Sequence, residues 1–155
     1  VEEIRFRAIN YKGKREYIFD SKGKYVRHNG KFILKEKVKS ADSKLRNEIT
    51  KYFKKMPKLK TKVKGIRDLN KKLYYVKAWY LTESNDLTVL RNHNKRGFRK
   101  YHLDHIYPLS VAYKEGIPPE VVSNIKNLRF VHYKVNLKKR DLVTETAKKI
   151  INKLY

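Results

Sequence analysis

Cysteine is absent from the 155 residues, which excludes disulfides and thiolate zinc sites and leaves burial to hold the fold. No apolar run approaches the roughly 20 residues that a membrane-spanning helix needs, and no charged start leads into an apolar signal segment. An intracellular, cytoplasmic protein with no membrane partner is therefore expected. Acidic residues are scarce: 15 Asp and Glu stand against 40 Lys and Arg, a formal net charge of +25. An excess of that size calls for a polyanionic partner, and nucleic acid is the one expected here.

What is present suits a globular basic domain rather than a disordered tail. The 12 Tyr and 6 Phe are spread along the chain, and charged residues make up 35% of it; disordered tails are poor in aromatic and β-branched residues. The length allows one compact domain, or a small catalytic core with a small appended module.

Residues 4–39 alternate short apolar-aromatic runs with Lys-Gly-Lys and Asn29-Gly30 turn signals, which predicts an antiparallel β-meander. A two-stranded ribbon fits the major groove of duplex DNA, so this region is a candidate recognition element; a solvated sheet face is the plainer alternative. Leu45, Ile49 and Phe53 recur every four residues after Ser40 or Asp42, and Pro57 closes the segment, which predicts an amphipathic helix. The run from Lys58 to Gly65 reads as a linker or charged edge strand and as the internal boundary. A second helix is expected over 67–81, with Leu69, Leu73, Val76 and Tyr80 on one face and Trp79 nearby. A closing helix carries Val143, Ala147, Ile150, Ile151 and Leu154, either continuous with the segment before it or broken near Asp141. The division expected is thus 1–64, a basic β-meander plus helix, and 65–155, a catalytic domain.

Chemistry-bearing residues concentrate between Tyr101 and Lys139. Asp104 stands beside His105 in YHLDHIYPLS, a loop GIPPEVVSN follows, and IKNLRFVHYKVNLKK supplies Asn127, Asn136 and Lys139. Taken singly, each residue has a plain structural explanation: an Asp-His pair is commonly a salt bridge or turn, and Asn is a common loop residue. The joint pattern resembles the HNH endonuclease family, in an H-N-N variant whose letters fall on His105, Asn127 and Asn136. The resemblance covers roughly the last third of the chain. It implies an α+β fold with the N-terminal meander and helices followed by a C-terminal ββα-metal (His-Me finger) core. Many relatives in that family carry a Cys-x-x-Cys zinc clip, which this chain lacks.

The resemblance further implies a metal-dependent DNA endonuclease leaving 5′-phosphate and 3′-hydroxyl ends. His105 falls where the general base stands, Asn127 where the loop and imidazole are held in place, and Asp104 and Asn136 where Mg2+ is bound, with Mn2+ able to substitute. A neutral imidazole has the unperturbed pKa closest to neutrality, and magnesium takes only one or two protein oxygens. Asp104 and His105 are adjacent and so point to opposite faces of a strand; a bend before Pro108 would let both reach one phosphate.

Lys139, one helical turn after Asn136, is a candidate phosphate contact. Arg91, Lys95, Arg96, Arg99 and Lys100 sit just upstream of the motif and are further candidates, with His102 on the same strand face as Asp104. A zinc site from His93, His102 and His132 has no recognisable ligand spacing. The expected partner is double-stranded DNA, met by a monomer or a dimer assembled on DNA, and a phage or mobile-element enzyme such as a homing endonuclease fits the compact size. The alternative is a non-catalytic nucleic-acid-binding protein of ribosomal type, for which the charge alone suffices.

Overall fold

The computed structural model describes residues 41–155 and, before them, the backbone of 27–28 and 31–32. The chain divides into two compact units, Val1–Ser40 and Ala41–Tyr155. The expected meander over 4–39 lies outside the described residues except for one antiparallel pair, β1 (Arg27–His28) and β2 (Lys31–Phe32). Arg27 stands opposite Phe32 and His28 opposite Lys31.

The larger unit mixes helix and sheet, an α+β arrangement. It opens with α1 (Ala41–Lys55), which carries Asp42 in its first turn and Lys54 and Lys55 in its last, each charge complementing the helix dipole. Ile49 is buried, and Leu45, Tyr52 and Phe53 pack around it. The segment expected as a linker or edge strand instead forms the short helix α2 (Leu59–Lys62). Leu59 and Val63 are 0% and 1% exposed, and their four-residue spacing places them on one side of a helical turn. The alternating lysines hide that apolar pair. Helices α1 and α2 share a core with Leu73 and Val76 of α3 (Leu69–Ser84), so residues on both sides of 64/65 pack together within the larger unit.

Helix α3 begins and ends later than the expected 67–81. Asp68 Oδ1 accepts from the Lys71 amide at 2.7 Å, and the Asn85 side chain closes the far end by donating to the carbonyls of Leu81 and Ser123 at 3.0 and 2.9 Å. Its buried residues do not share one stripe. Leu73 and Val76 face α1 and α2, while Ala78 faces a second core built by α4 (Leu109–Lys114), α5 (Pro119–Val122) and α7 (Glu145–Leu154). A third cluster, Leu103, Leu128 and Phe130, lies on β3 (Tyr101–His105) and β4 (Leu128–His132). Trp79 packs against all three.

Strands β3 and β4 are antiparallel with Asp104 opposite Arg129 and His105 opposite Leu128. Helix α6 (Tyr133–Lys139) follows β4 directly. The closing segment is broken: Arg140 at the end of α6 has φ 45°, and α7 starts afresh with Thr144 Oγ1 accepting from the Ala147 amide at 3.1 Å. Among the described residues no helix is long and apolar enough to cross a membrane.

Because Leu59 is wholly buried in the core it shares with α1 and α3, Leu59→Ala is expected to destabilise the unit by about 2–5 kcal/mol. Urea denaturation checks this; a loss under about 1 kcal/mol would mean that α2 is peripheral to the core.

Candidate active site

Asp104 and His105 end β3 and find partners on different elements. Asp104 Oδ2 accepts from Arg129 Nε across the ladder at 2.9 Å, and Oδ1 accepts from Lys139 Nζ of α6 at 2.7 Å. The same ammonium donates to the His105 carbonyl at 2.5 Å. The Asp104 and Lys139 side chains are only 7% and 8% exposed, so this is a largely buried ion pair stabilised by a third, half-exposed charge.

His105 turns the other way, toward α3. Its Nε2 lies 2.8 Å from Thr82 Oγ1, and its ring meets Trp79 edge to face at 4.9 Å between centroids. Burial, then the charges of Lys139 and Lys62, lower the imidazole pKa to about 3, so at neutral pH the ring carries no charge. Thr82 fixes one ring nitrogen. No buried side-chain nitrogen or oxygen among the described residues lacks a partner.

That cleft, of about 220 Å³, is where the motif residues converge. Asp104, His105, Asn136 and Lys139 all line it, together with Trp79 and Asp141. The opposite pointing of Asp104 and His105 therefore does not separate them, because the chain turns at Ile106, whose amide donates to the Asn127 carbonyl at 2.8 Å. Asp141 reaches back to Ser110 Oγ at 2.5 Å. The Asn136 amide has no partner among the described residues.

Asn127 lies behind the cleft, 0% exposed. Its Oδ1 accepts from the Tyr107 amide at 2.8 Å, and its Nδ2 donates to the carbonyls of Val122 and Tyr107 at 2.7 and 3.3 Å. It welds the loop that ends β3 to α5 and the start of β4, an organising position with no surface in the cleft.

The expected phosphate contacts divide. Lys139 is engaged with Asp104 and the His105 carbonyl, which takes two of its three ammonium protons and leaves one. Arg96 donates twice to Glu83, at 2.5 and 3.0 Å, and Lys58 donates to the same carboxylate at 2.8 Å. The Glu83 side chain is 2% exposed. Burial alone would push its pKa up, yet the hydrogen bonds from Arg96 and Lys58 hold it down at about 2. Lys95, Arg99 and Lys100 are exposed around the Gly97 turn, and Arg91 is exposed before it. His102 and Arg96 line a second cleft of about 440 Å³. Trp79, Leu103 and Asn136 line both clefts. His132 lines neither; its Nδ1 accepts from the Lys134 amide at 3.4 Å and its ring packs on Tyr133.

Sequence reading missed Thr82, Arg129 and Glu83. Arg129 was accessible, since counting the ladder back from Asn127 places it opposite Asp104. Nothing local marks Thr82 or Glu83, which act through α3 on residues far along the chain.

Asp104 and Asn136 offer a carboxylate and an amide oxygen to one cleft, the hard-oxygen donors that magnesium accepts in small number. Each Asp104 oxygen already accepts from a cation but keeps a further lone pair. Among the described residues no group of three or more His, Asp or Glu gathers as a metal cage. The donor set fits a cation that shares its ligands with substrate and water.

No family model, curated protein or solved structure matches the chain. The family likeness accordingly rests on the motif residues and their placement.

Two outcomes follow from these contacts. Lys139→Met leaves the Asp104 carboxylate buried beside the single charge of Arg129, and a loss of about 3–5 kcal/mol in urea denaturation is expected; a change below about 1 kcal/mol would show the pair contributes little. Glu83 titrates from its ordinary value of 4.5 in the unfolded chain to about 2 in the fold. Its contribution is present above pH 4.5 and lost as pH falls toward 2. Stability curves of the wild type and Glu83→Gln should therefore converge on acidification through that window; parallel curves would refute the assignment.

Proposed function

We propose that this protein is a metal-dependent DNA endonuclease whose β3, β4 and α6 form a ββα-metal core of the HNH kind. The observation that carries this reading is the convergence of Asp104, His105, Asn136 and Lys139, drawn from β3 and α6, on one cleft. Hydrolysis of a phosphodiester needs a proton acceptor for the attacking water and positive charge near the phosphate. His105 is uncharged at neutral pH and lines the cleft, and Thr82 holds its Nε2, which leaves Nδ1 as the nitrogen to take a proton. A phosphodiester entering the cleft brings negative charge toward this imidazole and offsets the Lys139 and Lys62 charges that depress its basicity.

Asp104 and Asn136 would hold Mg2+, with Mn2+ a substitute, which when bound supplies Lewis-acid stabilisation of charge on the phosphate. Lys139 and Arg129 orient the Asp104 carboxylate, and Asn127 fixes the loop that sets the His105 backbone. Lys95, Arg99, Lys100 and Arg91 add exposed positive charge for the phosphates of a DNA partner. A single chain with one such cleft nicks one strand.

A second reading draws on the same contacts. The two cations on Asp104 and the burial of His105 also suit a purely structural network in a non-catalytic nucleic-acid-binding protein. Incubation of supercoiled plasmid with magnesium or with EDTA separates the two. Wild-type protein is expected to produce nicked circles with magnesium only, and His105→Ala to lose at least about 100-fold in rate while its DNA affinity stays within about threefold. Near wild-type turnover by His105→Ala would remove His105 from the mechanism, and metal-independent absence of nicking would favour the binding protein.

A further inference from the structure

Apart from the shared Asn136, the polar residues of the second cleft have no part in the chemistry proposed for the first. It is lined by Lys62, Trp79, Arg96, Phe98, Tyr101 and His102, a mixture of cations and rings. Its volume of about 440 Å³ lies within the range of small-molecule sites, roughly 300–1,000 Å³. Through Trp79, Leu103 and Asn136 it adjoins the cleft that holds Asp104 and His105.

Its rim is built in a way that phosphate binding does not require. The Lys100 amide donates to the Gly97 carbonyl at 3.1 Å, closing a turn. The third residue of that turn, Arg99, has φ 53°, a conformation that glycine or asparagine adopts far more readily than arginine. The turn is pinned on both sides, by the Gly97 amide on the Tyr101 carbonyl at 3.1 Å and by the Tyr133 amide on the Lys100 carbonyl at 2.8 Å. At its tip Phe98 is 86% exposed, with the Arg99 guanidinium 5.6 Å from the ring centroid. Lys62 sits 4.1 Å from the Trp79 centroid across the cleft.

Cations alone satisfy a phosphate; a solvent-facing phenyl ring at the tip of a pinned turn does not help them. A ring and several cations in one groove suit an unpaired nucleotide, whose base offers a free π-face and whose backbone follows the charge. In an intact duplex the base faces are covered by their neighbours, so a ring at the rim has nothing to stack on. We propose that this cleft binds an unpaired nucleotide of a DNA strand, stacked on Phe98 with its phosphates on Lys62 and the Arg99–Lys100 side of the turn. On the nuclease reading, the substrate is then DNA with a single-stranded or frayed segment next to the scissile phosphate.

The substrate assignment rests on that reading, but binding does not depend on cleavage. The full chain is titrated in EDTA against a single-stranded DNA oligonucleotide carrying 2-aminopurine and against a blunt duplex of the same sequence. Wild-type protein is expected to quench the probe in the single strand. Phe98→Ala and Phe98→Leu should abolish the quenching and weaken single-strand binding by about 5- to 150-fold, with duplex affinity changed less than about twofold, and Phe98→Trp should retain both signals. Phe98 is exposed, so thermal melting of the variants should match the wild type. Undiminished single-strand binding by Phe98→Leu, an equal or larger loss on the duplex, or tighter binding of the matching RNA overturns the proposal. Metal-dependent nicking that survives any of those results leaves the nuclease reading standing, and Phe98-dependent stacking without nicking leaves the cleft standing alone.

Discussion

One ammonium group ties the site together. Lys139 Nζ bridges the Asp104 carboxylate and the His105 carbonyl, so the last turn of α6 is fixed to the last two residues of β3. Burying that carboxylate is costly unless its charge is matched, and a single surface cation would not suffice. Arg129 supplies the second cation from the adjacent strand. With α6 anchored there, Asn136, one turn earlier on the same helix, lines the cleft beside Asp104.

The opposite wall is set by α3. That helix has apolar residues on several faces because it serves separate cores, and Trp79 is the side chain on which they meet. The same helix turns Thr82 to His105 and Glu83 to Arg96 and Lys58. Neighbouring residues of one helix therefore hold the imidazole of one cleft and the guanidinium of the next. Two arginines keep left-handed or strained backbone beside these clefts, Arg99 with φ 53° and Arg140 with φ 45°. Glycine would relieve both positions and would also remove a cation from each, the kind of local strain that is commonly found at functional sites.

Local periodicity made much of the helical frame legible. The four-residue recurrence of Leu45, Ile49 and Phe53 marked α1, and the Ala147–Ile151 pair marked α7. The Lys58–Gly65 segment misled because its lysines alternate while its buried residues, Leu59 and Val63, are a helical turn apart. The break at Arg140 carried no glycine or proline to announce it. In the site, Asp104, His105, Asn136 and Lys139 were visible as a group because the chain crowds them into one strand pair and helix. The engagement of Lys139 with Asp104 was not visible, since it depends on the depth at which the helix end is buried. Thr82 and Glu83 were silent because their roles arise only when α3 packs beside the strands.

The chemistry of the cut ends tests the central claim most directly. If water attacks the phosphorus and expels the 3′ oxygen, with His105 taking the proton, a labelled duplex with a frayed segment should yield 5′-phosphate and 3′-hydroxyl ends that DNA ligase can reseal. Ends bearing 3′-phosphate, or no strand scission in magnesium or manganese, would contradict the account.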